Sequence, residues 1–263
     1  MKALAWFLFT LICFKQVGFS ADRRPSFPFI IGDGFRSIST HIFDETGQNF
    51  QPWEVQQGDT IFVKSDYISN FYENIHPKIF SDYILITHNS DLSPSSGCRE
   101  LLEQDRLIAW LAQNAYEVSH PKLIPISIGL ENRYNRNGDP SRVEMAIKKF
   151  QNSEKRNIFI YMNFNIATSP GERGEVFSLF KERSYVVSSP KAYPAFLKDL
   201  ARSMFVLCPR GNFYDCHRTW EALLMGAIPI VKSSFMDPLF KNLPVLIAND
   251  FKELDDELLQ KKI

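Results

Sequence analysis

The chain has 263 residues, 44% of them hydrophobic, which is enough for one large domain or two small ones with buried cores. Its 30 basic and 30 acidic residues cancel at pH 7, so the composition does not supply the net-basic face that nucleic-acid binding needs. The 23 phenylalanines are dispersed, with no internal repeat or low-complexity tract, and the solenoid and disordered classes are set aside.

At the N-terminus Lys2 precedes an apolar run over 3–14, followed by Lys15 and by Gly18 and Ser20 at cleavage spacing. This pattern predicts a secretory signal peptide over 1–20 and a mature chain beginning near Ala21. The expected location is the lumen of the secretory pathway (endoplasmic reticulum or Golgi) or outside the cell. The run is shorter than the roughly 20 residues that span a bilayer, so an N-terminal membrane anchor is the alternative reading. Beyond this segment Cys98, Cys208 and Cys216 remain, so one disulfide at most can form. Cys208 and Cys216 either close a small loop or stay as buried thiols, and their spacing is not that of a zinc site.

Between residues 28 and 130 the runs FPFIIG, DTIFVKS, DYILITHNS and KLIPISIGL read as strands, each ending in polar, glycine or proline residues. Leu101, Leu102, Leu107, Ile108, Leu111 and Ala112 have helical spacing and predict a helix leading to the last of these strands, hence a parallel sheet. The polar stretch ENRYNRNGDPSR from Glu131 marks a boundary between an N-terminal α/β domain over 21–132 and a second over 133–263. In the second, VEMAIKKFQN, SPGERGEVFSLFKE, AYPAFLKDLARS, DCHRTWEALLMG and FKELDDELLQKK read as helices, and NIFIYMNF, SMFVLCP, AIPIVKS and LPVLIAND as strands. The expected fold is α/β, with two Rossmann-like domains facing a cleft that holds the chemistry.

The most informative stretch is CPRGNFYDCHRTWEALLMGAIPIV over 208–231. Asp215 is placed to cap a helix that Gly226 ends, with Trp220, Leu223 and Leu224 toward the core. His217, Arg218 and Glu221 are then either solvated and paired along the helix or exposed to a ligand. In the second case the helix N-terminus, Arg210 and Arg218 suit a diphosphate, and Glu221 suits a ribose diol. Gly211 lets backbone approach the ligand, while Asn163 and Arg173 stand at the equivalent strand-to-helix junction upstream.

Together SMFVLCPRGNFYDCHRTWEALLMGAIPIV resembles the C-terminal signature of exostosin-like glycosyltransferases. The Cys-Pro-Arg-Gly turn, the Arg-x-Trp-Glu-Ala-Leu helix and the Gly-x-Ile-Pro-Ile strand occur in that order over some 30 residues. LPVLIANDF agrees more loosely, with Phe251 in place of an expected tryptophan. The resemblance implies a compact GT-B-type transferase. Its first domain serves a glycan or glycoprotein acceptor and its second binds a nucleotide-sugar donor, a co-substrate rather than a cofactor. Arg210 and Arg218 then face the phosphates and Glu221 the ribose or sugar. No Asp-x-Asp motif stands at a strand end, and transfer without a metal ion is expected. If transfer inverts the anomeric centre, an acceptor hydroxyl must lose its proton to a base in the first domain. Asp33 and His88, each following an apolar strand, rank ahead of Asp66 and Asp91. The alternative is a catalytically inactive carbohydrate- or nucleotide-binding protein with the same fold.

Overall fold

The computed structural model describes residues 26–46, 50–93, 98–115, 119–151, 154–183, 186–188, 191–255 and 259. The predicted signal peptide lies outside them. Among the described residues no helix is long and apolar enough to cross a membrane. The chain divides into two compact units, Met1–Ile128 and Gly129–Ile263.

The first unit carries a parallel sheet of five strands: β1 (His41–Phe43), β2 (Asp59–Lys64), β3 (Tyr83–His88), β4 (Leu107–Gln113) and β5 (Leu123–Ile126). They lie side by side in chain order. Right-handed crossovers that always step in one direction put their connections on one face. That face holds the larger core, where Ile61, Val63, Tyr83, Leu85, Trp110 and Ala112 meet Ile68, Phe71 and Ile79 from the β2–β3 connection. Because side chains alternate along a strand, Phe62 and Ile86 point the other way. They form a smaller cluster with Ile42 and with Phe35 of α1 (Gly32–Ile38).

Two elements of this unit differ from the sequence reading. The run over 28–31 is not a strand: Pro28 has no N–H to give a ladder, Phe29 N donates to Ser26 O at 2.8 Å in a turn, and α1 follows at once. The predicted helix through Leu101–Ala112 is a 3-10 turn (Arg99–Glu103) followed by β4. Flanked by β3 and β5, β4 buries Trp110 and Ala112 toward the large core and turns Leu111 toward the small one. A strand filled on both faces shows a continuous apolar run, which at this length also fits a helical period.

The second unit has β6 (Ile158–Tyr161), β7 (Val186–Val187), β8 (Ser203–Leu207), β9 (Ile228–Lys232) and β10 (Leu246–Ala248), again all parallel. Their order across the sheet is β7-β6-β8-β9-β10. Helix α2 (Pro140–Ala146) comes first, with Pro140 at its opening position and Asp139 accepting from Ser141 N. Helix α3 (Pro170–Phe180) joins β6 to β7, α4 (Tyr193–Arg202) joins β7 to β8, and α5 (His217–Leu224) joins β8 to β9. The chain steps one way from β6 to β7, then back past β6 to β8. Right-handed crossovers therefore send α3 to one face and α4 and α5 to the other. Val176 and Phe180 of α3 pack on Ile160, Phe205 and Ile230, while α4 packs against α2 and α5. Gly226 ends α5 at φ +76°, and a Cβ there would stand 2.6 Å from Arg156 Nη2. The predicted final helix opens as a 3-10 turn (Phe251–Glu253), and half of its residues lie outside the described ones.

Candidate functional site

Where β6 and β8 lie side by side, their connections leave toward opposite faces, and a crevice opens beyond the C-terminal ends of the strands. Two loops rise there, 162–169 after β6 and 208–216 after β8. They bring together Asn163, Arg173, Arg210, Gly211, Arg218 and Glu221, the residues singled out from sequence in this unit, though the structure gives them different work.

Arg173 is a buried brace. Its Nε donates to Arg210 O and its Nη1 to Asn165 O, each at 2.8 Å, so one guanidinium ties the two loops together. Burial, and then the neighbouring charge of Arg218, lower its pKa from the ordinary arginine value. Gly211 makes room for this brace, since a Cβ there would lie 3.2 Å from Arg173 Nη2. Arg210 receives support rather than offering its charge freely: its main-chain N–H donates to Glu172 Oε1 at 2.8 Å. Its guanidinium stands 3.8 Å from Glu172 Oε2 and over the Tyr214 ring.

Arg218 donates through Nε to Asn163 O at 2.8 Å and lies over the ring of Phe164, which also faces the Arg173 guanidinium. Its Nη1 is buried and has no hydrogen-bond partner among the described residues. A buried guanidinium N–H without an acceptor is costly and calls for an occupant that supplies one.

Asp215 does not cap α5. The capping position belongs to Cys216, which makes no side-chain cap bond, and Asp215 Oδ1 accepts from Trp220 Nε1 at 2.8 Å. Thr219 N donates to Cys216 O at 3.0 Å, so the first turn closes in part on its own main chain. His217 Nδ1 lies 2.8 Å from Gly129 O and orients the same turn. Cys98, Cys208 and Cys216 are buried free thiols, so the possible Cys208–Cys216 loop closure does not form. Burial pushes the Cys208 thiol up to about 12.

Glu221, one turn beyond Arg218, is 5% exposed and accepts a hydrogen bond from the Tyr193 hydroxyl at 2.8 Å. Burial pushes its pKa up to about 7. It lines a cavity of about 370 Å³ together with Asn163, Tyr193 and Phe196. The remaining wall comes from the segment that opens the unit (Glu131, Arg136, Asn137, Arg142) and from Lys191, Ala192 and Pro194 at the start of α4. Sequence reasoning missed these residues because it treated the polar stretch after Glu131 as a linker. The signal was its density of arginine and asparagine just ahead of a strand-helix series.

In the first unit His88 stands at the end of β3, as expected, but is 1% exposed and fully engaged. Nδ1 lies 2.8 Å from Asn89 N and 2.9 Å from Asn89 Oδ1, and Nε2 lies 3.2 Å from Ser127 O, so both ring nitrogens have partners. Asp33 does not end a strand; it opens α1. Asp66 accepts from Ser90 Oγ at 3.1 Å, and Lys64 pairs with Glu45 at 3.4 Å. Among the described residues no group of three His, Cys, Asp or Glu side chains is arranged to hold a metal ion.

Fold and site define an α/β protein of two parallel five-stranded sheets, with a polar cavity at the strand-order reversal of the second. No family model and no curated protein matches the chain. Among solved structures, a chain from the crystal structure of a GtfA/B complex is similar with a TM-score of 0.36 and 10% identity, over 79% of this chain and 49% of that one. This chain thus spans about half the length of that structure.

Proposed function

We propose that the chain is a glycosyltransferase of the exostosin-like, GT-B type, whose second unit binds a nucleotide-sugar donor and whose first unit serves the acceptor. One observation carries this reading: a buried carboxylate, Glu221, held by Tyr193 on a cavity wall at the switch point, one turn from the unpartnered Nη1 of Arg218. A carboxylate with one oxygen held can take hydrogen bonds from a ribose diol. The N-terminal end of α5 and the Arg218 guanidinium suit the diphosphate, whose negative charge grows as the glycosidic bond breaks. In this reading those groups neutralise the leaving group, and no metal ion is given a role. The candidate bases for the acceptor proton are Asp33 and His88, and the hydrogen bonds of His88 count against it. A signal peptide would place the reaction in a secretory lumen that imports sugar nucleotides.

The engagement of His88 also favours a second reading, in which the chain binds a nucleotide or carbohydrate without catalysis. Incubation with a panel of nucleotide sugars separates the two: release of nucleoside diphosphate in the presence of a glycan acceptor supports transfer, and binding without turnover supports the second. Calorimetry tests the site itself. Unchanged affinity for nucleoside diphosphates in both Arg218→Ala and Glu221→Ala would sink the donor-site assignment.

A further inference from the structure

The cavity beside Glu221 contains more positive charge than its own carboxylates balance. Arg136 and Arg142 are exposed, and neither forms an ion pair among the described residues; Arg142 Nη1 makes only a long bond, 3.4 Å, to Arg136 O. Lys191 is anchored by an ion pair with the buried Asp199, which also lies 3.7 Å from Arg202, so one carboxylate serves two cations. Against these stand the carboxyl groups of Glu131 and Glu221. The arginines built into the neighbouring loops differ: Arg173 is spent on two carbonyls and Arg210 is paired with Glu172.

We propose that Arg142 and Lys191, with Arg136 beside them, form an anion subsite of this cavity that grips the phosphates of its ligand, while Arg173 and Arg210 act as structural braces. The proposal rests on the reading that the cavity holds a nucleoside diphosphate. A ligand that is polyhydroxylic at one end and polyanionic at the other matches the two sides of the cavity. Glu221, Asn163 and Tyr193 meet hydroxyls, and the three cations meet phosphate oxygens. A neutral sugar would leave Arg136 and Arg142 without an anionic partner.

The test is a charge ladder by calorimetry on the full chain, using a nucleoside, its monophosphate and its diphosphate, with inorganic pyrophosphate as a base-free probe. The variants are Arg136→Ala/Arg142→Ala, Lys191→Gln and Arg210→Ala. Both arginines of the double variant are exposed, so it keeps its fold even if Lys191→Gln, which unbalances Asp199, does not. The proposal expects the gain in affinity from nucleoside to diphosphate to fall about tenfold or more in the double variant and to stay within about threefold of wild type in Arg210→Ala. It is overturned if the gain survives in the double variant and disappears in Arg210→Ala, an outcome that leaves the donor-site reading intact. Pyrophosphate binding that the double variant loses, without binding of any nucleoside, supports the subsite and removes the nucleotide reading. Failure of both pyrophosphate and nucleoside diphosphates to bind wild type removes both.

Discussion

The two sheets have the same number of strands and the same parallel pairing, yet only one reverses its order. In the first, β1 to β5 run across in sequence, so no connection parts from its neighbour and polar residues at the strand ends are drawn into packing. His88 shows the result, with both ring nitrogens bound and Phe35 at 5.3 Å. In the second, the step from β7 back to β8 separates two loops, and the gap is lined with charged and hydroxyl groups that the fold leaves only partly satisfied. A single change in strand order thus separates a unit whose strand-end His88 is bound on both ring nitrogens from one whose strand ends open into a polar cavity.

This contrast predicts that the largest losses of stability lie in the first unit without any loss of ligand binding. Trp110 is fully buried, and its Nε1 donates to Thr87 Oγ1 at 2.8 Å. Trp110→Ala should cost about 3–5 kcal/mol in denaturant unfolding while leaving nucleoside diphosphate affinity unchanged at temperatures where the chain stays folded. A drop in affinity equal to that of a site variant would undo the contrast.

The second effect is a pH dependence. The folded pKa of Glu221, about 7, lies above its ordinary value of 4.5, so the folded state holds this proton more tightly than the unfolded chain does. The contribution is fully present below pH 4.5 and is lost as pH rises through about 7, a swing on the order of 3 kcal/mol. Glu221→Gln should remove that slope from unfolding curves measured between these limits. Ligand binding runs the opposite way: a diol is best accepted by the ionised carboxylate, so affinity should rise across pH 7 and binding should release a proton. Calorimetry in buffers of different ionisation enthalpy reads that proton directly. Next comes Arg173→Met, which loses two charge-assisted bonds to carbonyls. It should cost about 2–3 kcal/mol and loosen both loops of the site, weakening binding although Arg173 does not line the cavity.

Much of this contrast was open to reading in the sequence. Parallel α/β character followed from strands such as DTIFVKS and YILITH, and the crevice residues of the second unit followed from where Arg218 and Glu221 fall on a helix after a strand. What could not be read was set by tertiary neighbours. LIAWLA has no period of its own that separates a doubly covered strand from a helix, and only its place between β3 and β5 decides. Asp215 looks like a cap by residue type, but the helix begins one residue later than such a cap requires, and Trp220 claims its oxygen. The cavity wall from Glu131 to Arg142 looked like a linker because its partners, Tyr193 and Glu221, lie more than 50 residues away in the chain.

The smallest predicted effect is the most discriminating. Tyr193 has its own phenol pKa raised well beyond the usual tyrosine range, by burial and then by the charge of Glu221, so it keeps the proton that it donates to Glu221. Its hydrogen bond favours the ionised form of Glu221 and partly offsets the effect of burial. Tyr193→Phe keeps the ring stacked on Phe196 and removes only the hydroxyl, at a cost of about 1 kcal/mol in stability. A merely structural tyrosine would lower stability and leave the binding profile where it was. A positioning tyrosine also moves the pH at which ligand affinity rises to a higher value, because Glu221 then gives up its proton less readily. A binding profile that keeps its wild-type midpoint in Tyr193→Phe would show that the carboxylate in this cavity is not the group the ligand reads.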